Sequence, residues 1–147
     1  MKKFLSLITL TLMVIITYFA LSVNAAPLRE DFLAAANMLP FSNTAELFLQ
    51  DGNSIKTDTV RMQNMLKNPE ILAEISGFLV RFSGSEQGIN GFLRQFSASH
   101  VYFQRLGAIT IAYAYAPQIG GAAEHNLQIA HRNGVITVGV PLIQGSF

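Results

Sequence analysis

The stretch SHVYFQRLGAITIAYAYA, Ser99 to Ala116, decides the fold. Laid out as an extended chain, it puts His100, Tyr102 and Gln104 on one face and Val101, Phe103 and Arg105 on the other, and then alternates Ile109, Ile111, Tyr113 and Tyr115 with small residues. A side-chain period of two is the signature of β-strands, whose successive residues point to opposite faces. Leu106-Gly107 lies between the two runs, so they form a hairpin, and a two-residue turn there sets His100 opposite Tyr113.

Downstream, Pro117–Ala123 is a loop rich in glycine and alanine, and His125–Arg132 and Val135–Leu142 flank Asn133-Gly134, the strongest short hairpin signal. The turn pairs Arg132 with Val135, His131 with Ile136, Ile129 with Val138 and Leu127 with Val140. One face then carries Leu127, Ile129, Ile136, Val138 and Val140 with His131 at its edge, and the other carries Asn126, Gln128, Ala130 and Thr137. The apolar face is expected to turn toward helices.

Upstream of Ser99 the period is 3.6. Leu28, Phe32, Ala35 and Leu39 form one stripe of a helix over Pro27–Leu39, with Arg29, Glu30 and Asp31 in its first turn and Pro40 at its end. Asn43-Thr44-Ala45-Glu46 has the form of a capping box and predicts a short helix that stops near Asp51-Gly52. Within Asn53–Asn68, Ile55 and Val60 fit a short strand and Met62, Met65 and Leu66 a helical turn. Asn68-Pro69-Glu70 then opens a helix whose face is Ile71, Leu72, Ile75, Phe78, Leu79 and Phe82. Gly88–Phe96 repeats the pattern with Ile89, Phe92, Leu93 and Phe96. The expected fold class is therefore α+β, with N-terminal helices packed on a curved antiparallel sheet of about four to six strands.

The whole chain has 147 residues, no cysteine, ten Lys+Arg and nine Asp+Glu. Lys2 and Lys3, the apolar run Phe4–Val23 and the exit Val23-Asn24-Ala25 read as a secretory signal peptide cut before Ala26, which makes the protein secreted or periplasmic. The alternative is an uncleaved membrane anchor, since the run is long enough to span a bilayer. Residues 26–147 form one domain, large enough to fold on a single core. Removal of the two leader lysines leaves a small net negative charge, so nucleic acid is not an expected partner. The lack of cysteine excludes disulfide scaffolds, thiol nucleophiles and thiolate metal sites.

Glu30-Asp31-Phe32-Leu33-Ala34-Ala35-Ala36-Asn37 followed by Ala45-Glu46-Leu47-Phe48-Leu49-Gln50-Asp51-Gly52 resembles the opening of the nuclear transport factor 2-like superfamily, which includes the ketosteroid isomerase and polyketide cyclase families. Pro69–Phe82 and the hairpin His131-Arg132-Asn133-Gly134-Val135-Ile136 are similar to later parts of the same pattern. The resemblance implies a cone-shaped fold with a pocket between sheet and helices, frequently as a dimer through the sheet. It also implies an aspartate general base shortly after the "DG" turn. Here that stretch reads Asn53-Ser54-Ile55-Lys56-Thr57, and the following Asp58 reaches the pocket only if the strand is longer by about two residues.

On these grounds Asp31, Asp58 and His100 are the candidate catalytic residues, each of which also reads as an ordinary solvated group. Phe32, Phe78, Tyr102, Gln104 and Tyr113 are the candidate ligand-binding residues, with strand and helix core as the alternative reading. No cofactor is expected. No metal is expected either, because His125 and His131 are six strand residues apart, roughly 20 Å at about 3.3 Å per residue. Gly84, Gly88 and Gly91 do not follow a strand and so make no phosphate loop. The expected function is binding of a small hydrophobic molecule or a protein partner in or around the cone. The alternatives are an isomerase- or cyclase-type enzyme, and a membrane-anchored module of a cell-envelope assembly. A homodimer through the sheet would use an exposed small-residue face of Ala108, Thr110, Ala112 and Ala114.

Overall fold

Three glycines and an asparagine with positive φ join six of the seven strands of the described residues into hairpins. The structure, a computed structural model, describes residues 30–40, 44–120 and 123–141. The expected leader, residues 1–25, lies outside these residues, as do Pro27–Arg29, Asn43 and Leu142. After a helix over residues 30–38 (α1), the chain forms β1 (Thr44–Asp51), β2 (Ser54–Arg61), α2 (Met62–Lys67), a 3-10 turn (Pro69–Ala73), β3 (Gly77–Ser83), α3 (Gly88–Gln95), β4 (Ser99–Leu106), β5 (Ile109–Tyr115), β6 (Leu127–Arg132) and β7 (Val135–Val140). The strands make one seven-stranded antiparallel sheet in the order β2-β1-β3-β7-β6-β5-β4.

Three two-residue turns set the registers. Gly52-Asn53 joins Asp51 to Ser54, Gly107-Ala108 joins Leu106 to Ile109, and Asn133-Gly134 joins Arg132 to Val135. Gly52 (φ 57°) and Gly107 (φ 59°) occupy the first turn position, and Asn133 (φ 49°) and Gly134 (φ 77°) fill both positions of the third. These are the positive-φ patterns that match the twist of antiparallel strands. The β6–β7 register is the one the sequence predicts, with Arg132 opposite Val135, His131 opposite Ile136 and Ile129 opposite Val138.

The expected fold class is overturned in its layout. The sheet has seven strands rather than four to six, and the helices come from three separate places in the chain instead of forming an N-terminal layer on a curved sheet. Two of the expected helices are strands. Thr44–Asp51 is β1: Ala45, Leu47 and Leu49 alternate with Glu46, Phe48 and Gln50, and the capping-box signal is outcompeted by pairing with both β2 and β3. The expected helix over Asn68–Phe82 is a 3-10 turn followed by β3. β3 lies between β1 and β7, and Phe78, Leu79 and Val80 are all buried, so the run is apolar on both faces and its spacing mimics a helical stripe.

The core lies on one face of the sheet. Leu47 of β1, Phe78 and Val80 of β3, Val138 and Val140 of β7, Leu127 and Ile129 of β6, and Ala112 and Ala114 of β5 meet Phe32, Ala35 and Ala36 of α1, Met62 and Met65 of α2, Leu72, and Ile89 and Phe92 of α3. Thr110, Ala112 and Ala114, the small-residue face expected to mediate a dimer, are buried here against the helices. β3 and β7 approach closely at Gly77, where a Cβ would stand 2.5 Å from the Val140 carbonyl oxygen.

Candidate functional site

Register brings chemistry together at one end of the core face. Arg105 of β4, Thr110 of β5, His131 of β6, Ile136 of β7 and Phe82 of β3 are cross-strand neighbours in a single row. Residues 84–87 connect β3 to α3 above this row, and Glu86 drops its carboxylate onto it. The Glu86 Oε1 accepts hydrogen bonds from the Thr110 hydroxyl, at 3.0 Å, and from the Arg105 guanidinium. Those two hydrogen bonds, joined by the positive charge of Arg105 and the proximity of His131, hold the Glu86 carboxyl below the usual range despite partial burial. The His131 Nε2 is buried and has no hydrogen-bond partner among the described residues.

Beside this cluster opens a cleft of about 290 Å³ lined by Glu86, Gln87, Ile89, Asn90, Phe103 and Thr110. It combines a carboxylate, two carboxamides, a hydroxyl and an aromatic ring, and it opens beside β4. β4 closes one end of the strand order, and among the described residues nothing pairs with its outer side. Val101 (39% exposed), Tyr102 (59%), Phe103 (50%) and Leu106 (50%) are four of the six exposed large apolar side chains among the described residues. The others, Ile55 and Val135, stand singly on other strands.

The opposite face of β4 and β5 carries an aromatic ledge. The Tyr102 and Tyr113 rings lie 6.2 Å apart, and His125 meets Tyr113 edge-on at 6.2 Å. The Tyr113 hydroxyl donates a long hydrogen bond, 3.4 Å, to Gln104 Oε1. The hairpin turn falls on Gly107-Ala108, one residue later than expected, so Tyr102 and not His100 stands opposite Tyr113. His100 sits in an irregularity of the register between Ser99 and Tyr102, with φ 50°, and its ring is 6.4 Å from Tyr115.

The three candidate catalytic residues are not brought together. Asp58 is exposed on β2 and accepts a hydrogen bond from the Thr59 backbone N–H. β2 and β4 are the two ends of the sheet, so Asp58 and His100 are separated by six strand spacings, roughly 29 Å at about 4.8 Å each. Asp31 lies on α1 with its carboxylate against Gly120, where a Cβ would be 2.7 Å from Oδ2. Burial, and then repulsion from Glu30, raise its carboxyl above the usual range. Gly120 itself is held by the buried Asn126, whose amide donates to the Gly120 and Ala116 carbonyls and accepts from the Ala116 N–H.

Of the expected ligand-binding residues, Tyr102, Gln104 and Tyr113 do form one cluster, but on the outer ledge. Phe32 and Phe78 are on the core face, 2% and 0% exposed, with rings edge-to-face at 5.9 Å. They fill the space between α1 and β3. Glu86, Arg105 and Thr110 carry no signal in the sequence; the Gly107-Ala108 turn sets Arg105 opposite Thr110, and only the β5–β6 register adds His131 to them.

Among the described residues no group of three or more His, Asp or Glu side chains is placed to hold a metal ion, and no helix is long and apolar enough to cross a membrane. Comparison with protein-family models, with curated proteins and with solved structures finds no match in any of the three.

Proposed function

We propose that this chain is an exported interaction module that binds an extended segment of a protein, adding it as a strand to the outer side of β4. The observation that carries the reading is the concentration of exposed apolar side chains on that one strand, on both of its faces. A strand end-on to solvent presents a row of unpaired backbone donors and acceptors, and proteins that do not use such an edge protect it with charge or proline. β2, at the other end of the sheet, is protected in this way by Lys56, Asp58 and Arg61. β4 carries Arg105 as its single formal charge.

Strand addition draws affinity from main-chain hydrogen bonds and specificity from the pockets that alternate side chains enter. Both kinds of pocket exist here. Side chains on the core side of an added strand meet the cleft lined by Glu86, Asn90 and Phe103, and those on the other side meet the Tyr102–Tyr113 ledge. The general-base reading has no comparable support, because its three residues lie on α1, β2 and β4.

The test is photocrosslinking in the producing cell, with benzoylphenylalanine replacing Phe103 on one edge or Ile55 on the other. A discrete protein adduct from position 103 and none from position 55 is expected. Equal capture at both positions, or none at position 103, refutes the reading. N-terminal sequencing of the same sample is expected to begin at Ala26.

A further inference from the structure

We infer that the segment docked on β4 is β4 of a second copy, paired antiparallel about a two-fold axis through Gln104. This rests on the reading of β4 as a docking edge and names its occupant.

The turn fixes which backbone groups are available. Leu106 and Ile109 flank the two-residue turn and form a hydrogen-bonded pair, so Gln104 with Ile111 and Tyr102 with Tyr113 do the same, two residues apart each time. The backbone N–H and C=O groups of Phe103 and Arg105 therefore point away from β5, toward the open side. The regular part of β4 runs from Tyr102, where the register irregularity ends, to Leu106, where the turn begins. Gln104 is its midpoint.

A two-fold axis at Gln104 pairs Tyr102 with Leu106 of the second copy and Phe103 with Arg105 of the second copy, twice each by symmetry. The axis stands perpendicular to the sheet, so each pair shares a face. On one face two apolar side chains, 59% and 50% exposed in the single chain, cover each other. On the other face a guanidinium whose side chain is 67% exposed lies over an aromatic ring, an attractive cation–π arrangement. Arg105 is the only formal charge on β4, and in this register it faces a ring rather than its own copy, so no like charges oppose each other. A two-fold at Phe103 would instead set Leu106 against the irregular His100 and leave Arg105 over Val101. Five residues a side bury less than the ~1,200–2,000 Å² of a standard interface, so the dimer is weak and depends on concentration.

Because the chain has no cysteine, one engineered thiol reads the register directly. Gln104 would face its own copy in a non-hydrogen-bonded pair, where Cα atoms stand about 4.5 Å apart, within disulfide range. Full-length Gln104→Cys, exported and oxidised, is expected to become a covalent dimer of twice the chain mass, while Phe103→Cys stays monomeric. Light scattering on the cysteine-free chain is expected to show mass rising toward the dimer with concentration, with Leu106→Lys shifting the midpoint at least tenfold upward. Preferential cross-linking of Phe103→Cys overturns the register, and absence of any dimer overturns the proposal. If position 103 photocrosslinks a different protein while Gln104→Cys stays monomeric, the second copy is refuted and β4 stands as a docking edge for another chain. If neither forms, both readings fail.

Discussion

Replacing Phe32 and Phe78 by leucine, singly and together, separates a packed core from a ligand-lined pocket. Both rings are essentially inaccessible and meet edge-to-face at 5.9 Å. Phe→Leu removes three ring carbons from a buried site, which costs about 2 kcal/mol at ~0.8 kcal/mol per buried carbon. The edge-to-face pair adds about 1 kcal/mol that either substitution abolishes. The double variant should therefore lose about 1 kcal/mol less than the sum of the single losses, a coupling larger than the ~0.3–0.5 kcal/mol scatter of independent sites. Urea unfolding followed by circular dichroism is the assay. With an m-value of about 2 kcal/mol/M for a domain of this size, the loss of about 3 kcal/mol in each single variant moves the midpoint down by roughly 1.5 M. An unchanged midpoint for Phe32→Leu would mean that α1 is not packed on β3, and strict additivity would mean that the two rings do not meet. A loss of ligand binding with no loss of stability would return both residues to the role of pocket lining.

The two shifted carboxyls give opposite pH signatures. Glu86 has a lowered folded-state pKa, so its contribution is present above the ordinary glutamate range and disappears as the pH falls through the folded value; Glu86→Gln should lower the Tm at pH 7 and approach wild type in acid. Asp31 has a raised folded-state pKa, so its ionised form opposes folding at neutral pH; Asp31→Asn should raise the Tm at pH 7, with the gain vanishing in acid, and an equal gain at all pH values would contradict the cause assigned here. Gly77→Ala should destabilise by about 1–3 kcal/mol, because its Cβ meets the Val140 carbonyl at 2.5 Å and Pro141 Cδ at 2.9 Å. Gly91→Ala, inside α3 with nothing within 4 Å, should stabilise by about 0.5–1 kcal/mol in the same denaturation series.

The C-terminal half was legible because its turn chemistry and its alternation agree. Asn133-Gly134 admits one two-residue turn, and the apolar face of Leu127, Ile129, Ile136 and Val138 fits only the register that turn imposes. The β4–β5 hairpin was read one residue out for a physical reason. Val101, Tyr102 and Phe103 are consecutive and all exposed, so β4 has no buried face to declare its register, and the choice between Leu106-Gly107 and Gly107-Ala108 was left to the turn alone. Positive φ at Gly107, in the first turn position, resolves it. β3 failed in the opposite way, since burial on both faces erases alternation. The Pro69 signal was real but opened a single 3-10 turn.

The same two causes account for the site. Glu86 lies 19 residues from Arg105 and 24 from Thr110 along the chain, so only the assembled registers of β4, β5 and β6 show that it caps one row with His131. The aromatic ledge of β4 and β5, by contrast, is visible in the sequence as residues but not as a side of the sheet. Tyr102, Gln104 and Tyr113 are expected in one cone-shaped pocket with Phe32 and Phe78, whereas the open sheet puts the first three on its outer face and the two phenylalanines in the core. Phe103, half exposed, sits between the Glu86 cleft on the core face and the backbone edge that faces away from β5. A charged residue there would protect the edge as Lys56, Asp58 and Arg61 protect β2, and would cost the core nothing, since Phe103 is not part of it. The apolar side chains at 101, 102, 103 and 106 are therefore not required by the core, which leaves them to serve the strand docking proposed above.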